Sequence, residues 1–146
     1  MPIEYDPVLI ESSDQELRDY IWDTGKTIIV DHREEEAVIV ECVARIIPEA
    51  GLTCTFAEDD DLVVTYKGQP TRVGLTFSPK DRYITIRKLN AILAGDYEIR
   101  VFRATLDADT HSLYVKSSEW WASMDAYFPD RIAHLFAKIT DEIDFV

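Results

Sequence analysis

No catalytic or cofactor motif stands anywhere in the 146 residues of this chain. Its five glycines are scattered at turns, so none of them builds a phosphate-cradling loop. Cysteine is scarce: Cys42 and Cys54 form no CxxC pair and have no histidine partner, which reads as two free thiols turned toward the core. No apolar run exceeds a handful of residues, so no segment is expected to span a bilayer. The opening MPIEYDPVLIE is acidic and carries Pro2 and Pro7, without the basic start and apolar centre of a signal peptide. A reducing cytoplasm is the expected compartment, with no membrane among the partners.

Positive charge is short as well, and unevenly so. Residues 1–61 hold 17 acids and 4 bases, whereas 62–146 hold 11 of each, so the whole net charge of −13 lies in the first part. Backbone phosphates would be repelled by such a molecule, which argues against nucleic acid as a partner. Within the second part, Lys67 to Arg103 carries eight bases against Asp81, Asp96 and Glu98. Acidic and basic parts either face each other across the fold or offer an acidic surface to a basic partner.

What is present is a foldable core of ordinary size: 47% of residues are hydrophobic and 29% charged, in a length suited to one domain spanning 1–146. Residues 34–47 organise it. From Ala37 to Ile47 only Glu41 and Arg45 are charged, and they sit four apart on one helical face. A helix so apolar around its circumference must be covered on more than one side. Glu34, Glu35 and Glu36 occupy its first turn, where negative charge offsets the helix dipole, and Pro48 with Gly51 closes it.

The lead segment 1–33 carries one short helix, opened by the capping pair Ser13 and Glu16, with Trp22 expected to fold back on the core. After Gly51 the period changes to two. Leu52, Cys54 and Phe56 alternate with threonines, 58–61 turns, 62–66 returns, and 70–77 follows the Lys67-Gly68-Gln69 turn. Ser78-Pro79 opens a helix over 81–94, with a strand at 83–86 as the alternative. Strands at 97–103 and 111–116 precede a helix with Trp120, Trp121, Met124 and Tyr127. Pro129 then starts a last helix with an apolar stripe of Ile132, Leu135, Phe136 and Ile139. The expected fold is α+β: an antiparallel sheet of about five strands in the order α-β-β-β-α-β-β-α, packed against the buried helix and C-terminal helices.

From residue 34 to about 140 this order resembles the layout of type III secretion chaperones and the related YbjN-like proteins. The resemblance implies a small, acidic, typically paired protein that holds another polypeptide. It is one of element order, so it transfers no functional residue to this chain.

Candidate sites are few. Glu58, Asp59, Asp60 and Asp61 lack the alternating spacing, glycine and closing glutamate of a calcium loop, and read as a solvated turn. Asp107, Asp109 and His111 would share one face of an extended strand and could hold a divalent ion for a small metal-dependent hydrolase. They equally make an ordinary hairpin loop. Trp120 and Trp121 are adjacent, so on a helix they point about 100° apart, and the second is a candidate for an exposed apolar patch.

The expected function is therefore non-enzymatic. A small acidic inhibitor or immunity-type protein would neutralise a basic protein effector, with secretion-type chaperone and metal hydrolase as alternatives. No cofactor, metal or catalytic residue is assigned. The partner surface is expected at Glu34, Glu35, Glu36, Glu58, Asp59, Asp60, Asp61, Trp120 and Trp121. The acids among them are expected to lead, because their side chains owe the fold little beyond dipole compensation. The helix and the tryptophans need cover, so a homodimer is expected. Light scattering coupled to size exclusion checks it, and the mass of a single chain at micromolar concentration would refute it.

Overall fold

A computed structural model of the chain describes residues 5, 7–11, 13–23, 27–31, 36–74, 81–106 and 110–139. Its elements run α1 (Pro7–Glu11), α2 (Asp14–Ile21), β1 (Ile28–Asp31), α3 (Glu36–Ile46), β2 (Thr53–Phe56), β3 (Leu62–Tyr66) and β4 (Gln69–Val73). They continue as α4 (Asp81–Leu93), β5 (Tyr97–Phe102), β6 (Thr110–Ser117), α5 (Ser118–Tyr127), α6 (Pro129–Leu135) and β7 (Phe136–Lys138). The α+β class and the order from α3 to α6 are as expected. The single five-stranded sheet is not: among the described residues seven strands form a four-stranded sheet, β1-β6-β5-β7, and a separate three-stranded sheet, β2-β3-β4.

Helices α3 and α4 lie between the two sheets. Ile39, Val40 and Val43 of α3 and Ile86, Leu89 and Leu93 of α4 share one core with both. Those side chains meet Leu62, Val64 and Val73 of the smaller sheet and Ile28, Val30, Ile99, Val101, Leu113 and Val115 of the larger. This is the cover on several sides that the apolar stretch 37–47 demanded, and Glu41 and Arg45 are indeed exposed. The opposite face of the larger sheet carries Phe102, Tyr114 and Phe136. Leu9, Tyr20, Ile21, Trp120, Trp121, Met124, Ile132 and Leu135 from α1, α2, α5 and α6 bury that face. A sheet covered on both sides needs no apolar–polar alternation, and β6 is buried continuously from His111 to Val115. The smaller sheet is covered on one side, and β3 alternates accordingly.

Local signals placed the element ends. Ser13 accepts from the Glu16 amide and opens α2, and Ser117 accepts from the Trp120 amide and opens α5. Gly68, at φ 76°, turns β3 into β4.

Three further expectations need correction. Helix α6 stops at Leu135, and the last part of its apolar stripe becomes β7. The i, i+3, i+4, i+7 spacing suits a helix, but the open edge of β5 offers backbone partners. Phe136 faces Phe102 with ring centroids 4.5 Å apart, and Ala137 faces Val101. Phe56, expected inside, is 51% exposed because β2 is an edge strand ending beyond the cover of α3. Trp22 does not fold back on the core; it is 47% exposed at the C-terminal end of α2. Strand β4 ends at Val73, and residues 75–77, expected to extend it, lie outside the described residues.

Truncation of Val43, which is completely buried, is expected to lower the unfolding free energy by roughly 1–3 kcal/mol. Glu41→Ala on the exposed face is expected to stay within about 0.5 kcal/mol of the parent. Urea denaturation compares them, and equal small effects would make α3 peripheral.

Candidate functional site

The first candidate is the acidic end of the smaller sheet. Strand β2 runs back beneath α3, so that the Cys54 thiol lies 3.9 Å from the Ala37 carbonyl oxygen in the first turns of that helix. The 57–61 turn therefore comes to the same end of the molecule as Glu36. Glu41 is close enough to act, after burial, in raising the Cys54 pKa. The turn is stapled by Ala57 N–H to the Asp61 carbonyl at 2.8 Å and by Asp60 N–H to the Ala57 carbonyl at 2.9 Å. Its acids do more for the fold than expected. One Arg72 terminal nitrogen donates to both Asp59 oxygens, at 2.8 and 2.7 Å, and to Asp61 at 3.2 Å. That bond to Arg72 is the main cause of the lowered Asp59 pKa. Glu58 and Asp60 are exposed beside Phe56. Glu34 and Glu35 lie outside the described residues.

A second feature is a cleft of about 490 Å³ at the other end of this sheet, lined by Glu49, Tyr66, Lys67, Asp96, Tyr97 and Glu119 among others. The Tyr66 hydroxyl donates to Asp96 at 2.8 Å, and the Lys67 ammonium pairs with the same carboxylate oxygen at 2.6 Å. Lys67 first, and then Tyr66, hold Asp96 below the usual carboxylate range. Burial, with Asp96 beside it, pushes Tyr66 up to about 12. A phenol so hard to ionise is a hydrogen-bond donor and no nucleophile near neutral pH.

The third is a cleft of about 520 Å³ on the α5 and α6 side of the larger sheet, lined by Arg100, Arg103, Asp125, Pro129, Ala133, Phe136 and Lys138. Arg100, only 3% exposed, donates in parallel to the two Asp125 oxygens at 2.9 and 2.7 Å, while its Nε donates to Glu98. Its guanidinium stacks 4.2 Å from the centroid of Trp121, whose indole N–H donates to the Glu98 carbonyl at 2.9 Å. Burial works against the charge on Arg100, but the bonds to Asp125 and Glu98 outweigh it and hold its pKa above the ordinary value. Asp125 is correspondingly lowered, chiefly by its bond to Arg100. This pairing was missed in the sequence. Its signal was a charge at the centre of the alternating strand 97–102, on the face that carries Phe102.

Trp120 and Trp121 are 5% and 1% exposed, so neither forms a surface patch. The two directions in which they point are both covered. Trp121 meets Arg100 and Phe136, whereas Trp120 meets Tyr114 and lies under the Lys116 ammonium, 5.4 Å from its ring centroid. The apolar reason for pairing two tryptophan surfaces is thus met within one chain. His111 is buried on the α4 side of the larger sheet, its Nδ1 2.8 Å from the Thr105 carbonyl oxygen and its ring edge-on to Tyr83. Asp107 and Asp109 lie outside the described residues. No group of three or more potential metal ligands is found among the described residues. Cys42 and Cys54 are both half-buried and form no disulfide with each other. No helix of the described residues is long and apolar enough to cross a membrane.

Comparison with family models, with curated proteins and with solved structures found no match. Geometry and charge are therefore what bear on function.

The Asp125–Arg100 pair carries a pH signature. A carboxylate free in the unfolded chain titrates near about 4, and Asp125 lies below its ordinary value in the folded state. Its contribution is complete above the unfolded value and is lost as pH falls through the lowered folded value. Asp125→Asn is accordingly expected to cost more stability near neutral pH than below about pH 3. Urea denaturation at the two pH values reads the difference, and an equal cost at both would show that the ionised form of Asp125 adds no stability.

Proposed function

We propose that this protein works by binding a basic protein partner along the acidic end of its smaller sheet, as a small inhibitor or immunity-type protein does. The observation that carries this reading is the convergence there of Glu36, Glu41 and the 57–61 turn around β2, an edge strand with the exposed ring of Phe56 at its end. Acids alone would be a solubility feature. Beside an open strand edge they gain a second role: the edge has backbone groups for an incoming strand, and Phe56 gives it an apolar anchor. The negative field selects basic chains and speeds their approach. Arg72 holds Asp59 and Asp61 in place, so part of this charge is ordered before a partner arrives.

A secretion-chaperone role is a second reading in the same binding class. It is supported by the helix and strand order from α3 to α6, to which the structure adds β1 and β7. A cytoplasmic location belongs with either role. The hydrolase reading has less behind it, because the His111 ring nitrogen Nδ1 is already turned to a backbone carbonyl in the core.

Once affinity capture has named a partner, stopped-flow association at several ionic strengths tests the proposal. The double charge reversal Glu41→Lys with Glu58→Lys is expected to slow association about tenfold at low salt. That difference is expected to fade as the Debye length falls from about 10 Å at 0.1 M to about 3 Å at 1 M. Phe56→Ala is expected to speed dissociation instead. An on-rate indifferent to both salt and charge reversal would overturn the reading.

A further inference from the structure

The cleft beside Arg100 has an excess of donors that the fold leaves unused. A guanidinium has five N–H groups. Arg100 uses one at Nε for Glu98 and one on each terminal nitrogen for Asp125, so each terminal nitrogen keeps one N–H. Arg103 spends only its Nε, on the Ala133 carbonyl at 2.7 Å, and that bond aims the side chain along the cleft wall. Among the described residues, no acceptor takes a hydrogen bond from the ammonium of Lys138, and neither Lys138 nor Arg103 enters an ion pair. Among the described lining residues the one carboxylate, Asp125, already accepts from Arg100 at both oxygens.

We propose that this cleft binds the phosphate group of a small phosphorylated molecule. Arg100, Arg103 and Lys138 carry three positive charges against the two carboxylates Asp125 and Glu98, which leaves this group with one net positive charge, and Lys138 lies close enough to act on Asp125 through space. A phosphate monoester, which carries about −1.5 to −2 near neutral pH, is drawn to that surplus and to the unused N–H donors. The donors come from different elements: Lys138 from β7, Arg100 from the middle of β5 and Arg103 from the turn after it. A tetrahedral group with three free oxygens can meet all of them, whereas a planar carboxylate has two oxygens. Pro129, Ala133 and Phe136 supply an apolar wall for the organic part, and the volume of about 520 Å³ suits a small ligand. The site also explains a local anomaly of charge. Among the described residues neither Arg103 nor Lys138 forms an ion pair, although carboxylates are plentiful in a chain of net charge −13. Arg100 and Arg103, two of the eight bases between Lys67 and Arg103, thus acquire a use separate from the acidic docking surface.

Phenyl phosphate is the test ligand, titrated into the full chain while the Trp121 indole N–H and the Arg100 Nε–H are followed by heteronuclear NMR. Both protons should shift and saturate. Arg103→Gln combined with Lys138→Gln should weaken binding at least about tenfold, with spectral dispersion retained because both side chains are exposed. Lys138→Gln alone, in a residue with no hydrogen bond to lose, should weaken it in the same direction and serves if the double variant unfolds. Lys67→Gln in the other cleft should leave the affinity as it was. Benzoate should bind more weakly than phenyl phosphate. Shifts that grow linearly without saturating, an affinity unchanged by Lys138→Gln, or benzoate binding as tightly as phenyl phosphate would each overturn the proposal.

Discussion

Arg100 sits in the middle of a sheet that is covered on both faces, and much of the arrangement around it follows from that. A buried guanidinium is tolerated only when its charge and its N–H groups are answered nearby. Glu98 answers from the same strand, two residues away, while Asp125 must be brought from α5. Fixing Asp125 fixes the rotation of α5, and this lays Trp121 over the guanidinium and turns its indole N–H to the Glu98 carbonyl. Trp120 is then directed at Tyr114, and Tyr114 in turn meets Tyr20 of α2 through their hydroxyls at 2.9 Å. The aromatic core on that side is thus ordered around a charge.

The other face of the same sheet is filled mainly by aliphatic side chains from α3 and α4, with Tyr83 of α4 against His111. Those helices are shared with the smaller sheet, whose outer face and β2 edge remain in solvent. The asymmetry separates two kinds of surface. The doubly covered sheet provides rigidity, and its cleft is bounded by backbone held on several sides. The singly covered sheet carries the acidic turn and the exposed Phe56, where a second chain can approach without disturbing a core. Exposed acids there cost the fold little, because surface ion pairs such as Arg72 with Asp59 are worth about 0–1 kcal/mol.

The sequence by itself determined the α+β class and the buried helix. It also determined the meander after Gly51 and the serine cap at Ser13, and it favoured a helix from 81 over the strand alternative at 83–86. Each of these depends on residues within a turn or two of one another, where periodicity, caps and glycine conformations act directly. Tertiary structure alone decided that strands β1 and β7 would join β5 and β6 in a sheet separate from β2–β4. It made Phe136–Lys138 a strand, since the vacant edge of β5 supplied backbone partners that a helical apolar stripe does not reveal. It buried both tryptophans, because Arg100 of β5 and Phe136 of β7 closed over Trp121 while Tyr114 of β6 packed on Trp120, and it joined Arg100 to Asp125 across 25 residues. Strand pairing and the neutralisation of a buried charge are set by what arrives from elsewhere in the chain, and no local pattern encodes the arrival.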